Sequence, residues 1–181
     1  FPIYLEACGG PIERIPGQVA HRCVNKNSFA QLRRKFYHFV GKIAFDIDGL
    51  GPKIIDQLLN EHLISDFADL FTLKRGDLLN LPRVAEKSVD NLLNEINKSK
   101  KVELYRFIIS LSIPQVGEET AIDLANHFGS LNSFRNANFE ELKSLDGVGS
   151  VVALSIINWF KDDHNKDLVD RLLKHIEIND Q

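Results

Sequence analysis

Several residue types are scarce in this 181-residue chain, and each scarcity excludes a class of protein. Two cysteines cannot build a disulfide framework, so we expect the reducing environment of the cytoplasm. No apolar run approaches the roughly 20 residues that span a bilayer, and no signal-peptide pattern is present, so we expect no membrane partner. The formal net charge of −3 excludes a polybasic protein that binds nucleic acid by bulk charge alone.

Methionine is absent altogether and the chain opens at Phe1, so we expect a segment of a longer protein. The 44% hydrophobic content is ample for a packed core. Residues 1–30 contain turn residues and short alternating pieces that are typical of small β-hairpins. Helical periodicity begins at Gln31 and continues without a long linker, which predicts a single all-helical domain over residues 31–181.

The chain does contain an internal duplication, and each half of it holds two copies of a smaller unit. Each unit is a short turn of the type Gly-hydrophobic-Gly, or a variant of it, followed by an apolar-periodic run. Such a turn opening a helix is the signature of a helix-hairpin-helix. In chain order, units one to four are Gly49-Leu50-Gly51, Arg83-Val84-Ala85, Gln115-Val116-Gly117 and Gly147-Val148-Gly149.

The turn chemistry of these units favours an anion at the helix start. We expect the second glycine to supply a positive φ and to remove the Cβ that would block an approaching backbone. The middle residue, Leu50 or Val148, is expected to pack back between the two helices. The helix start then leaves backbone N–H groups pointing outward, where a phosphate can sit. Lys53 opposes the helix dipole, which makes sense beside an anion.

The four units are unequal. Units one and four keep both glycines, and we expect them to be the stronger phosphate sites. In unit two, Ala85 is expected to hinder close approach and to be strained if left-handed, which favours a packing role. Arg83, Lys87 and Ser88 could still reach a nucleic-acid backbone from there. Basic residues cluster at Arg33-Arg34-Lys35, and at Lys98 with Lys100-Lys101 and Arg106. For each cluster, a solvated helix face is as good an explanation as a contact with nucleic acid.

Cys8 and Cys23 look like half of a metal site. A structural zinc ion needs four ligands, commonly in two paired sets. Leu5 stands three residues before Cys8, and Ser28 stands five residues after Cys23, so two paired positions carry no ligand. We therefore expect vestigial, free thiols and no bound zinc.

Taken in order, the chain resembles the C-terminal half of bacterial NAD⁺-dependent DNA ligase, and the match spans nearly all of it. In that family a four-cysteine zinc finger precedes a domain of four helix-hairpin-helix units, which holds the minor-groove backbone of nicked DNA. The residues that carry the resemblance are Cys8-Gly9-Gly10-Pro11, His21-Arg22-Cys23, Ala30-Gln31-Leu32, Phe45-Asp46-Ile47-Asp48-Gly49-Leu50-Gly51, Glu86-Lys87-Ser88, Val116-Gly117-Glu118, Thr120-Ala121, His127-Phe128-Gly129-Ser130-Leu131 and Gly147-Val148-Gly149.

The resemblance implies a mainly α fold with a degenerate zinc-finger-like module at residues 1–30. A four-unit helix-hairpin-helix domain in two duplicated halves would occupy residues 31–181. Together with the turn chemistry, it makes a set of DNA-binding candidates: Gly49, Leu50, Gly51, Lys53, Lys87, Ser88, Gly117, Thr120, Gly147, Val148, Gly149 and Ser150.

The resemblance also implies what this chain lacks. The family's first and fourth zinc ligands fall on Leu5 and Ser28, and its Lys-x-Asp-Gly adenylation motif is absent. We expect no catalytic residue and no cofactor in this chain, with NAD⁺ and Mg²⁺ used by the parent enzyme elsewhere. The expected partners are nicked duplex DNA and the remaining ligase domains of the same polypeptide, in a cytoplasmic monomer that serves replication and repair. Alone, the chain should be inert.

Two alternatives remain open. A helix-hairpin-helix DNA glycosylase would need a catalytic aspartate after the hairpin, for which Asp162, Asp163 and Asp167 are the candidates. A protein-interaction scaffold with vestigial hairpins would bind no DNA even at low salt.

Overall fold

The structure, a computed structural model, describes residues 29–179 in full and, before them, the backbone of three short strands. Strands β1 (Tyr4–Leu5), β2 (Gly10–Arg14) and β3 (His21–Cys23) form an antiparallel sheet in the order β1-β2-β3. Cys8 and Ser28 lie outside the described residues. The zinc-finger-like character of this segment, and its boundary at residue 30, therefore stay predictions.

Residues 29–179 form ten α-helices, one 3-10 helix and two further short strands, so the fold is mainly α, as predicted. The 3-10 helix (Phe67–Thr72) lies between the second and third α-helices. The α-helices are α1 (Phe29–Val40), α2 (Pro52–Asn60), α3 (Arg75–Leu79), α4 (Glu86–Ser99), α5 (Leu104–Ser110), α6 (Glu118–Phe128), α7 (Leu131–Arg135), α8 (Phe139–Lys143), α9 (Ser150–Lys161) and α10 (Asp163–Leu172).

The prediction that residues 31–181 are wholly helical was wrong at one place. Strand β4 (Lys101–Glu103) pairs in parallel with β5 (Glu177–Asn179), and Val102 lies opposite Ile178. Three-residue strands are too short to show an alternating pattern, and the two segments are far apart in the chain. The pairing joins the segment between the two halves of the repeat to the segment after α10.

The four predicted units are four helix pairs: α1–α2, α3–α4, α5–α6 and α8–α9. The 3-10 helix follows unit one and α7 follows unit three, so each half has the same order of elements. Backbone angles confirm the duplication, because Asp46 and Ser112 take φ of +49° and +52° at equivalent positions before their turns. The tandem helix-hairpin-helix fold is therefore confirmed.

Phenylalanine rings fill much of the core. In the first half, the Phe39 ring stacks on those of Phe45 and Phe67, with centroids 4.3 Å and 4.4 Å away. In the second half, the Phe134 centroid lies 5.8 Å from that of Phe128 and 5.3 Å from that of Phe160. Each such pair contributes about 0.5–1.5 kcal/mol beyond its area burial. The two halves share one continuous core.

Polar contacts fasten the last helix to the first half. The Arg171 guanidinium on α10 donates to the carboxylate of Asp66, which caps the 3-10 helix, and to Asp167 Oδ2 at 2.7 Å. Asp69 accepts the N–H groups of Ser65 and Asp66 at 2.8 Å and 3.1 Å. Burial alone would raise the pKa of Asp69, but these hydrogen bonds and the Arg171 charge hold that pKa below its ordinary value.

Candidate nucleic-acid interface

All four turns share one backbone geometry. The first residue of each turn is left-handed, with φ of +81° at Gly49, +62° at Arg83, +69° at Gln115 and +80° at Gly147. In units one, three and four, the N–H of the middle residue bonds back to a carbonyl three residues earlier at 3.1–3.2 Å. A positive φ at the third residue of such a turn is the type II signature. The turns are therefore equivalent although only two carry glycine there.

The prediction that the second glycine is the left-handed residue was wrong. Gly51, Ala85, Gly117 and Gly149 are the N-cap residues of α2, α4, α6 and α9, and all are extended, with φ between −78° and −92°. Ala85 is consequently unstrained, contrary to expectation, since extended backbone suits any residue. A Cβ added at Gly51, Gly117 or Gly149 would meet no protein atom within 4 Å.

The second helix of each unit begins without a side-chain cap. Among residues 29–179, no side chain accepts a hydrogen bond from the first turn of α2, α4, α6 or α9. Four other helix starts are capped by their own side chains, namely Asp66, Ser130, Asn138 and Asp162. Among the described residues, the backbone N–H groups at these helix starts also have no backbone partner. They are those of Gly51 and Lys53, and those of residues 85–88, 117–120 and 149–152.

These free N–H groups are the main chemical feature of the site. Unpaired donors at a helix start point along the axis outward, and the helix dipole adds a partial positive charge there. Together they form a binding place for an anion. Gly49 N–H is not among them, because Asp48 Oδ1 accepts it at 2.9 Å.

The charged side chains around the turns differ from unit to unit. Unit one has the exposed Lys53. Unit two has the exposed Arg83 and Lys87 and one exposed carboxylate, Glu86, so cations outnumber anions there. Unit three begins its helix with the exposed Glu118 and Glu119, which disfavour an anion. Unit four has neither sign in its first helical turn and offers the Ser150 hydroxyl.

Most of the predicted site residues are exposed at or beside the turns, but three are not. Leu50 and Val148 are 2% and 4% exposed, so they anchor their turns in the core as expected of the middle residue and face no ligand. Thr120 is half-buried on α6. From the sequence, we expected the turns at Arg83 and Gln115 to be weaker phosphate sites than the two turns with both glycines. Pro82 and Pro114 stand directly before Arg83 and Gln115, and proline at the second turn position is a type II signal.

The carboxylates proposed for a glycosylase are otherwise engaged. Asp162 Oδ1 accepts the N–H of Asn165 at 3.0 Å, as the cap of α10. Asp163 pairs with Lys166 at 3.3 Å, and Asp167 pairs with Arg171. All three aspartates are exposed, and none lines the two grooves found beside α4. They therefore do not form a pocket for a flipped base.

The described part of the chain contains neither a cluster of metal ligands nor a membrane-spanning helix. Within residues 29–179 and the three N-terminal strands, no three His, Cys, Asp or Glu side chains come together as a metal site. None of the helices there is long and apolar enough to cross a membrane.

Comparison with known proteins matches both halves of the repeat. A family model described as a SAM-like helix-hairpin-helix tandem matches residues 43–98, and one for the helix-hairpin-helix motif matches residues 106–169. Over 179 residues the chain is 41% identical to a DNA ligase of Clostridioides difficile (strain 630). The matched segment covers 99% of this chain and 26% of that relative. The chain thus spans about a quarter of the length of the curated relative it matches. Its fold and sequence fit the C-terminal helix-hairpin-helix region of a DNA ligase.

Proposed function

We propose that this chain holds the sugar–phosphate backbone of nicked duplex DNA, from the minor-groove side, for an NAD⁺-dependent ligase that seals nicks in replication and repair. The observation that carries the proposal is the set of four uncapped helix starts with one common turn geometry. A capping side chain would compete with phosphate for these N–H groups, and each of these helix starts lacks one. The DNA-ligase relative supplies the enzymatic context.

Backbone donors explain how a chain with net charge −3 binds a polyanion. An N–H group carries no formal charge, so the phosphate contact needs no basic surface and costs no repulsion between cations. The extended N-cap glycines leave open space where a Cβ would stand. A phosphate oxygen can therefore approach the N–H groups of Gly51, Gly117 and Gly149 closely.

Unit two belongs among the phosphate-binding units. Its turn has the same left-handed first residue as the others, and Ala85 is unstrained. Arg83 and Lys87 add two exposed cations, and the Ser88 hydroxyl lies in the same first helical turn. Unit three contributes less, because Glu118 and Glu119 repel a phosphate at its helix start. Units one, two and four thus make the principal contacts.

Contacts of this kind position DNA without reading its sequence. Phosphates repeat identically along every duplex, so N–H groups aimed at them carry no base information. Ligation chemistry belongs to parts of the parent enzyme outside this chain. NAD⁺ and Mg²⁺ act in those parts. This chain is a cytoplasmic monomer that binds no zinc and is inert on its own.

The test is fluorescence anisotropy of labelled nicked duplexes of several unrelated sequences, titrated with the 181-residue chain over a salt series. The proposal predicts similar Kd values for all sequences, with the logarithm of affinity falling linearly with the logarithm of salt concentration. A strong preference for one sequence would contradict it. No binding even at low salt would favour a protein-interaction scaffold, and release of a base from damaged duplexes would favour a glycosylase.

A further inference from the structure

A groove lined by both polar and apolar side chains runs along α4, between this helix and the turn of unit one. It encloses about 940 Å³, and we call it the α4 trough. Gly49 of unit one and Arg83 of unit two stand in its wall. From α4 it is lined by Leu92, by the ion pair of Glu95 and Lys98, and by four neutral polar side chains, namely Ser88, Asn91, Asn94 and Asn97. The trough therefore begins at the hairpin of unit two and passes the hairpin of unit one.

These four polar side chains are unengaged. None of them has a hydrogen-bond partner among residues 29–179. The acidic side chains of the helix body are paired instead. Asp90 accepts from Arg75 at 2.8 Å, and Glu95 accepts from Lys98 at 2.5 Å. The trough consequently offers neutral amide and hydroxyl donors, while cations compensate the carboxylates of the same helix.

A second groove of about 270 Å³ continues beyond the far end of the trough and shares Glu95 and Lys98 with it. It extends to Lys101 and Arg106, which belong to the second basic cluster of the sequence. Both cations are paired, Lys101 with Glu177 at 3.7 Å and Arg106 with Glu103 at 3.6 Å, so this groove carries charges of both signs. Arg83 stands at the near end. From Ser88 to Lys98 the helix rises about 15 Å, which equals the rise of about four base pairs along the axis of duplex DNA.

We propose that the α4 trough binds the sugar–phosphate backbone of one DNA strand over about four nucleotides beyond the unit-two hairpin. The inference rests on the proposed function and adds a contact that does not use a helix start. Asparagine and serine side chains donate hydrogen bonds to phosphate and sugar oxygens without adding charge. Asp48 also lines the trough, on the side of unit one, so the strand lies nearer to α4.

Side-chain amide resonances test this contact directly. The ¹⁵N-labelled chain is titrated with nicked duplex DNA, and the side-chain NH₂ signals of Asn91, Asn94 and Asn97 are assigned by single Asn→Asp variants. The inference predicts that these signals shift and saturate together with the backbone amides of Gly51 and Gly149. Shifted glycine amides with unmoved asparagine signals would overturn the trough contact and leave the proposed function standing. No shift in either set would contradict both.

Affinity gives a second, independent readout. The double variant Asn91→Asp, Asn94→Asp places two carboxylates in the trough, and the control Asn126→Asp, Asn132→Asp places two on exposed helical positions elsewhere. Both variants carry the same net charge. We expect the trough variant to raise the Kd for nicked duplex roughly tenfold relative to the control at moderate salt. Equal Kd values for the two variants would overturn the inference, provided both melt as the parent chain does.

Discussion

Ser155 on α9 donates a 2.5 Å hydrogen bond from its hydroxyl to the carbonyl oxygen of Pro114, in the turn of unit three. The first half has a similar contact with the roles of its two units exchanged, since Gln57 Nε2 on α2 of unit one donates to the carbonyl oxygen of Pro82 in unit two at 3.2 Å. Each donor is the sixth residue after its N-cap glycine, and each acceptor directly precedes a left-handed residue. The second helix of one unit thus holds the turn of its neighbour in both halves.

Removing either donor should loosen a pair of turns. We expect Ser155→Ala and Gln57→Ala each to lower the free energy of unfolding by about 0.5–1 kcal/mol, since both bonds are solvent-accessible. Urea denaturation measures the effect. The two sites lie in different halves, so the losses should add in the double variant. A wild-type midpoint in both single variants would show that the contacts do not hold the turns.

Replacing the left-handed Gln115 by glycine should stabilise the chain. A non-glycine residue at φ of +69° is strained by about 1–2 kcal/mol, and part of this gain is offset by the entropy of glycine. We expect Gln115→Gly to raise the free energy of unfolding by about 0.5–1 kcal/mol. Gly147→Ala, at φ of +80°, is the matched reverse change and should destabilise by a similar amount. Effects of the same sign for the two variants would contradict a shared turn geometry.

Acid should remove the contribution of Asp69. The pKa of Asp69 is lower in the folded chain than its ordinary value of 3.8, so ionised Asp69 stabilises the fold at pH values above 3.8. The contribution is lost as the pH falls through the folded-state pKa. Asp69→Asn keeps an acceptor oxygen but removes the negative charge at the helix start, so it should cost about 1 kcal/mol at pH 7 and progressively less in acid. Urea unfolding of both proteins from pH 7 downward measures the difference. A deficit that does not shrink in acid would argue against an ionic role.

The charges beside the turns should set the salt dependence of DNA binding. Lys53→Gln and Lys87→Gln remove a cation beside units one and two, and each should reduce the slope of log affinity against log salt by about 1. Anisotropy over a salt series measures the slopes. Lys161→Gln, at the far end of α9, is the control and should leave the slope unchanged. Equal slopes in all four proteins would show that neither lysine lies near a phosphate.

The acidic start of unit three predicts a change of the opposite sign. Glu118→Gln with Glu119→Gln removes two exposed negative charges from the first turn of α6. We expect tighter binding of nicked duplex, by roughly threefold to tenfold at low salt, because the free N–H groups then meet phosphate without repulsion. Unchanged affinity would place unit three away from DNA.

The sequence predicted the repeat and its anchors, because a glycine pair opening a helix is a strong local signal. Leu50 and Val148 are buried as predicted, but the positive φ lies at the first glycines, Gly49 and Gly147, and not at the second. The sequence did not predict that unit two has the same left-handed turn residue as the other units. A left-handed arginine is uncommon, and Pro82 was the one indication of a type II turn.

Features that depend on tertiary contacts could not be predicted. The β4–β5 pairing joins two short segments that are distant in the chain. The α4 trough exists because α4 passes the turn of unit one, where a Cβ on Gly49 would stand 3.8 Å from Leu92 Cδ1. Asn91, Asn94 and Asn97 alone read as an ordinary solvated face.

The most direct test of the account is the affinity for nicked duplex DNA of the double variant Gly51→Val, Gly149→Val. Both positions are extended and open on the protein side, so valine fits the fold and obstructs only what approaches from outside. Gly76→Val, on α3 away from the turn tips, is the matched control. With all proteins folded by circular dichroism, we predict a Kd at least about tenfold weaker for the double variant, and a wild-type Kd for the control. A double variant that binds as tightly as the wild type would contradict phosphate binding at these helix starts.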